Sequence, residues 1–87
     1  MEMDKNIYFS KQEAEKLLDS SVKLKKTLND ISYVPAGTKG RVTDIEEDVN
    51  KGGFYLRIRW YKEGHNRPIR RYYSKDAFEE WVDRKKW

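Results

Sequence analysis

Residues 53–73 read GFYLRIRWYKEGHNRPIRRYY, and the first half of this stretch alternates without a break. Bulky apolar side chains occupy every second position, at Phe54, Leu56, Ile58 and Trp60. The positions between them carry Tyr55, Arg57, Arg59 and Tyr61. Successive side chains of a β-strand point to opposite faces, so the alternation predicts a half-buried strand over 54–61. Because such a strand needs a sheet to cover its apolar face, the sequence predicts a mainly β fold.

The composition predicts one folded domain with a heavily charged surface. The chain has 87 residues, of which 39% are charged and 14% aromatic, and its formal net charge is +4. Aromatic side chains supply the large apolar areas that a disordered segment lacks, so the high charge does not indicate disorder. The modest positive charge permits a nucleic acid or an acidic protein as partner and requires neither.

The sequence contains no cysteine and no long apolar run. The lack of cysteine excludes a disulfide framework and any thiolate metal site, and it fits a reducing cytoplasm. No segment approaches the roughly 20 apolar residues that cross a bilayer. The acidic start MEMDKNIYF does not resemble a secretory signal. We therefore expect a cytoplasmic protein that does not span a membrane.

A short helix is predicted over 10–19, before the β-rich part of the chain. Ser10 and Glu13 have the spacing of a capping box, in which two otherwise unpaired amide groups find partners. Two turns of helix are not stable alone in water, so this helix must pack on the rest of the domain. The face available for that packing consists of Ala14, Leu17 and Leu18.

Four strands and a C-terminal helical element complete the predicted domain. The predicted strands cover 21–26, 41–45, 54–61 and 69–73, and 27–36 is predicted to be a loop. Ser74 is a suitable N-cap for a final short helix, and a short helical turn passing into a fifth strand is the alternative. We expect one domain, in which 1–20 is a helical extension packed on a barrel formed by 21–87.

Three stretches resemble an SH3-like small β-barrel: VPAGTKGRVTDI (34–45), FYLRIRWYK (54–62) and RRYYSKDAF (70–78). A Gly-Thr-x-Gly-x-Val turn and a tryptophan ending the third strand are similar to those of the variable chain of ferredoxin-thioredoxin reductase and the C-terminal domain of the nitrile hydratase β-subunit. The resemblance covers roughly 21–82. It implies a barrel of four or five antiparallel strands, with an N-terminal helix and a short helical turn near the C-terminus.

Members of these families work mostly as non-catalytic modules that dock on a protein or a nucleic acid. The SH3 domains that bind proline-rich peptides carry an ALYDY-type loop motif. The corresponding loop of this chain, at 27–37, reads TLNDISYVPAG instead. The resemblance therefore implies a docking module and does not extend to proline-peptide binding.

The titratable residues do not form a catalytic pattern. His65 is the only histidine and stands in the turn EGHNRP, with no second imidazole or thiolate to complete a metal set. A general base needs a partner that positions it and shifts its pKa, and no such arrangement is evident. The sequence GTKG at 37–40 lacks the Lys-Ser/Thr ending of a phosphate-binding loop. We expect no catalytic residue, no cofactor and no metal site, and hence no enzyme.

An acidic run occupies the predicted hairpin between the second and third strands. Its members are Asp44, Glu46, Glu47 and Asp48. Carboxylates attract hard cations, but the spacing is not that of a calcium-binding loop. We interpret the run as a solvated hairpin tip whose carboxylates can pair with nearby arginines or lysines.

The strongest candidate for a functional surface is the basic and aromatic hairpin formed by the third and fourth strands. Its cations, set against the single acid Glu63, are Arg57, Arg59, Lys62, Arg67, Arg70 and Arg71. Arginine dominates this set, and its guanidinium group binds phosphate or carboxylate with two hydrogen bonds and stacks on flat rings.

The sequence leaves the pairing register of this hairpin open. Either Arg70 and Tyr72 or Arg71 and Tyr73 lie on the outer face beside the arginines of the third strand. The candidate partner-binding residues are therefore Arg57, Arg59, Tyr61, Arg70 and Arg71.

Three functions are compatible with this surface. We expect a small non-enzymatic interaction module that docks an acidic protein, because acids elsewhere in the chain and the low net charge disfavour a long polyanion. The first alternative is a small barrel that binds single-stranded nucleic acid through stacked bases and cations. The second is a structural accessory subunit, in which the N-terminal helix instead makes the contact. A purely structural arrangement, in which the arginines pair across strands with Asp44 or Glu46, also remains open.

Overall fold

The computed structural model describes residues 8–29, 33–50, 52–64 and 66–84. The described strands are β1 (Ser21–Leu24), β2 (Leu28–Asn29), β3 (Tyr33–Val34), β4 (Lys39–Asp48), β5 (Gly53–Trp60), β6 (Ile69–Tyr73) and β7 (Val82–Arg84). The described helices are α1 (Lys11–Leu17) and α2 (Lys75–Trp81). The prediction of a mainly β fold is confirmed.

Five strands form one antiparallel sheet in the order β6-β5-β4-β1-β7, and β2 and β3 form a separate pair. The two edges of the larger sheet, β6 and β7, do not pair with each other in the described part of the chain. A closed barrel is therefore not found among these residues, and the sheet has two edges. The strand β6 is the one that borders the candidate surface.

The predicted strands at 54–61 and 69–73 correspond closely to β5 and β6. The predicted strand at 41–45 is longer in the structure, because pairing with β5 continues to Asp48, opposite Gly53. The predicted loop at 27–36 contains β2 and β3, so that prediction is wrong at those residues. The C-terminal element is a helix followed by a strand, which combines both readings of its sequence.

The core lies on one face of β5. Leu56, Ile58 and Trp60 have no exposed surface, and they face the buried side chains of the neighbouring strands and of both helices. The indole Nε1 of Trp60 donates a hydrogen bond to the Tyr73 hydroxyl over 3.0 Å. Because a buried indole N–H without a partner is costly, this bond favours the one register that brings Tyr73 to Trp60.

Helix α1 begins with the predicted capping box. The amide of Glu13 donates to the Ser10 hydroxyl over 3.2 Å, and the amide of Ser10 donates to the Glu13 carboxylate over 3.0 Å. Ala14 and Leu17 are buried in the core. The predicted third member of this face, Leu18, is 37% exposed, because the helix ends at Leu17 and the backbone becomes extended.

The starts of the two helices lie side by side. The ammonium group of Lys75 contacts the Glu13 carboxylate at 2.8 Å, and the rings of Phe9 and Phe78 pack edge to face at 5.6 Å. Ser74 holds the N-cap position of α2, but its hydroxyl donates to Asp76 and does not cap the helix. These contacts join both helices to the covered face of the sheet, whereas on the opposite face the Tyr8 ring packs edge to face on Tyr55 at 5.6 Å.

Replacement of Gly40 by alanine tests the packing above Trp60. Gly40 is directly opposite Trp60, and a Cβ at position 40 would lie 2.5 Å from Cε3 of Trp60 and 2.7 Å from the Arg59 carbonyl oxygen. We expect Gly40→Ala to lower the free energy of unfolding by about 1–3 kcal/mol, the usual cost of overpacking. Urea unfolding measures this change, and the control Ser21→Ala, at an exposed strand position, should stay within about 0.5 kcal/mol. Equal stability of the two variants would contradict the described packing.

Candidate functional site

The outer face of the sheet, opposite the core, carries most of the predicted site residues. In β5 the outer-face positions are Tyr55, Arg57 and Arg59, because the alternate positions are buried. In β6, Arg70 is opposite Arg59 and Tyr72 is opposite Arg57. The structure thus brings Arg57, Arg59 and Arg70 together on one face, in one of the two registers that the sequence left open.

Three arginines form a row across three strands, and we call Arg41, Arg59 and Arg70 the arginine row. Arg41 of β4 is directly opposite Arg59, which is directly opposite Arg70. Cα atoms of such partners are about 4.5–5.5 Å apart, so the row spans roughly 10 Å. Like charges placed directly opposite each other destabilise a sheet. The row therefore concentrates positive charge at a cost to stability.

Within the described residues no carboxylate is in ion-pair contact with the arginine row, although Arg59 contributes to the lowered pKa of Asp44. None of its three members forms an ion pair there, and Arg41 donates instead to the backbone carbonyl of Asp19 over 3.3 Å. The Nε atom of Arg59 is buried and has no hydrogen-bond partner among the described groups. Buried polar groups are usually satisfied, and departures from this rule often mark functional positions.

Arg57 lies two residues before Arg59 on the same face of β5. The positive charge of Arg57 is compensated by a carboxylate. Its guanidinium group donates from Nε to Oδ2 of Asp44 over 3.0 Å and forms a second, shorter bond from Nη2 to the same oxygen. These bonds hold the pKa of Asp44 below its usual range. The structural arrangement that the sequence left open, pairing with Asp44, is therefore present at Arg57 and absent at Arg59.

The far end of the outer face is acidic. The outer-face positions of β4 beyond Asp44 carry Glu46 and Asp48, opposite Tyr55 and Gly53. The Tyr55 hydroxyl donates to the Asp48 carboxylate over 2.8 Å, and this bond raises the pKa of Tyr55 to about 12. The outer face is thus divided along its strands, with Glu46 and Asp48 near the β4–β5 turn and the arginine row at the opposite end.

The placement of Arg71 differs from that of the other predicted site residues. Arg71 is opposite the buried Ile58, so its side chain belongs to the core-side face at the edge of the sheet. Tyr73 shares this face and accepts a hydrogen bond from Trp60. This bond determines which alternate residues of β6 face the core. Arg71 therefore does not join the arginine row, and its inclusion in one surface with Arg57 and Arg59 is wrong.

Exposed tyrosines border the arginine row. Tyr61 continues the alternation one residue beyond β5 and is 50% exposed, and Tyr72 is 54% exposed. Tyr33 is 53% exposed and lies under the Lys62 ammonium group, 5.3 Å from the ring centroid. The basic end of the face therefore combines guanidinium groups with aromatic rings that water can reach.

Arg41 is the functional candidate that sequence reasoning missed. A β-bulge lies between Val42 and Asp44, where the register shifts by one residue. The bulge places both Arg41 and Asp44 on the outer face, although simple alternation puts them on opposite faces. The three-residue spacing of Val42 and Ile45, which both face the core, is the signal in the sequence that indicates this bulge.

The described residues contain no group of three or more histidine, aspartate or glutamate side chains that could hold a metal ion. His65 lies outside the described residues. Neither described helix is long and apolar enough to cross a membrane. No protein-family model, no curated protein and no solved structure matches this chain.

The ion pair between Asp44 and Arg57 predicts a pH dependence of stability. Because pairing lowers the pKa of Asp44 in the folded protein, its stabilising effect is complete above the ordinary aspartate pKa of about 4 and is lost as the pH falls through the lowered value. We expect Asp44→Asn to be less stable than the wild type at neutral pH and equally stable in strong acid. Urea unfolding at a series of pH values measures the difference.

Arg57→Gln provides the control for this experiment. In that background Asp44→Asn should have little effect at any pH, since the partner responsible for the lowered pKa is missing. A stability difference between wild type and Asp44→Asn that does not change with pH would contradict the described pair.

Proposed function

We propose that this protein is a small non-enzymatic interaction module that docks an acidic segment of a partner protein on the outer face of its sheet. The observation that carries the proposal is the arginine row, whose three members form no ion pair among the described residues. We further propose that the sheet is a variant of the SH3-like small barrel and that the protein works in the cytoplasm, in keeping with its lack of cysteine.

An acidic partner would relieve the repulsion within the arginine row. Arginine binds carboxylates with two parallel hydrogen bonds, and its planar group stacks on aromatic rings. Arg59 and Arg70 offer adjacent guanidinium groups, and Tyr72 stands beside Arg70 on the same face. Glutamate or aspartate side chains spaced along one segment can bind these groups in turn.

The acidic end of the outer face favours a protein partner over a nucleic acid. Single-stranded nucleic acids follow an extended positive groove and stack on successive aromatic rings. Here the basic part spans roughly 10 Å, and Asp44, Glu46 and Asp48 continue the same face with negative charge. A long polyanion would meet repulsion where it left the arginine row, whereas a short acidic segment would not.

Charge reversal of the arginine row tests this proposal. We expect the double variant Arg59→Glu/Arg70→Glu to weaken binding of a fluorescent oligoglutamate by at least about tenfold, since each charged contact is worth about 1 kcal/mol or more. Fluorescence anisotropy at about 0.05 and 0.2 M salt measures the affinity and its salt dependence. The control is Lys11→Glu/Lys16→Glu on α1, which also lowers the formal net charge from +4 to 0.

Two results would contradict the proposal. Equal weakening by the two double variants would show that net charge alone drives binding. An oligothymidylate of about ten nucleotides matches the site size of small nucleic-acid-binding barrels. If it binds more tightly than oligoglutamate at about 0.2 M salt, the protein is a single-strand binder instead.

Removal of the acid that occupies Arg57 should strengthen binding. We expect Asp44→Asn to raise the affinity for oligoglutamate roughly two- to fivefold, the range of one exposed ion pair, because Arg57 loses the carboxylate that competes with the peptide. Glu46→Gln is the matched control, because it changes the net charge equally on the same strand at a position opposite Tyr55. The same anisotropy titration compares Asp44→Asn with Glu46→Gln. Equal increases in affinity for oligoglutamate would contradict a specific role of Arg57.

A further inference from the structure

The outward edge of β6 presents backbone groups next to the arginine row. Phe54 exchanges both of its backbone hydrogen bonds with Phe9, on the side of β5 that β6 continues. Antiparallel strands alternate between bonded and non-bonded pairs, so Ile69, Arg71 and Tyr73 bond to β5. The N–H and C=O groups of Arg70 and Tyr72 therefore point away from the sheet, and no described strand pairs with them.

A groove lies on the other side of this edge, towards the core. Its volume is about 540 Å³, and its lining includes Leu28, Arg71, Ala77 and Trp81. Leu28 is buried, and Trp81 and Ala77 are partly buried against the core. The edge of β6 thus separates two different surfaces, a basic outer face and a largely apolar groove.

We propose that the acidic segment binds as an additional antiparallel strand on the edge of β6. This inference rests on the proposed function and deepens it by specifying the form and pattern of the ligand. Residues of the segment opposite Arg70 and Tyr72 pair with their backbone groups and direct acidic side chains to the outer face, where the one opposite Arg70 extends the arginine row. The residue between them, opposite Arg71, directs an apolar side chain into the groove. The ligand is therefore an extended peptide that alternates acidic and apolar residues.

Three features of the edge favour this mode of binding over contact by side chains alone. Strand addition derives its affinity from main-chain hydrogen bonds and its specificity from alternate side chains. Arg59 and Arg70 supply charge complementarity on one face, and the groove supplies apolar burial on the other. Exposed cations can also protect an edge strand from pairing with other chains. Peptide binding distinguishes such protection from recognition of an acidic ligand.

Peptide probes test the main-chain pairing directly. The parent probe is a fluorescent peptide of about eight residues that alternates glutamate and leucine. The peptide is longer than the stretch of β6 that carries the outward backbone groups. Two isomers carry N-methyl groups on either two glutamate amides or two leucine amides. In antiparallel addition the glutamate amides face β6 and the leucine amides face solvent. We expect methylation of the glutamates to weaken binding at least about tenfold and methylation of the leucines to have little effect.

A matched pair of protein variants tests the main-chain hydrogen bonds between the peptide and β6 by changing the protein. Tyr72→Pro removes an N–H group that points away from β5, so the pairing of β6 with β5 is preserved. Tyr72→Ala removes the ring and keeps the N–H group. We expect Tyr72→Pro to weaken binding of the parent peptide at least about fivefold more than Tyr72→Ala does. Urea unfolding of both variants confirms that each is folded under the binding conditions.

The outcomes separate this inference from the proposed function. If both methylated peptides bind as tightly as the parent and Arg59→Glu/Arg70→Glu still weakens oligoglutamate binding, strand addition is wrong and the docking function stands. If neither the alternating peptide nor oligoglutamate binds, the cations only protect the edge, and both proposals are wrong.

Discussion

The pairing register of β4, β5 and β6 is the constraint on which the rest of the structure depends. A slip of one residue would turn Leu56, Ile58 and Trp60 towards water and the arginines of β5 towards the core. Burial of these three side chains and the bond from Trp60 to Tyr73 exclude that slip. The same register aligns the arginine row, so the interactions that stabilise the core also assemble the charged surface on the opposite face.

The elements with strong local signals could be predicted from the sequence. The alternation at 54–61 defined β5, because bulky apolar and charged side chains differ so much in the cost of burial. The capping box defined the start of α1, because its two hydrogen bonds are made within four residues. The arginines of β5 followed from the same alternation. Two members of the candidate surface, Arg57 and Arg59, could therefore be placed before any pairing was known.

The remaining parts depend on contacts between distant segments, which local patterns do not determine. Arg41 joined the surface only because the bulge near Thr43 reverses the alternation of β4. Arg71 left it because Tyr73 is needed beside Trp60. The short strands β2 and β3 contain two residues each, too few for any period to show in the sequence. The outer face therefore emerged from tertiary pairing, and its division into a basic and an acidic end could not be predicted from composition.

Nuclear magnetic resonance provides the most direct test of the register that creates the arginine row. Arg59 and Arg70 form a non-hydrogen-bonded antiparallel pair, in which the Cα atoms are about 4.5 Å apart and the Hα protons face each other. The described register predicts a strong cross-strand NOE between the Hα protons of Arg59 and Arg70, and a second between those of Arg57 and Tyr72. A strong contact from Arg59 to Arg71 instead would show a shifted register and would contradict the arginine row.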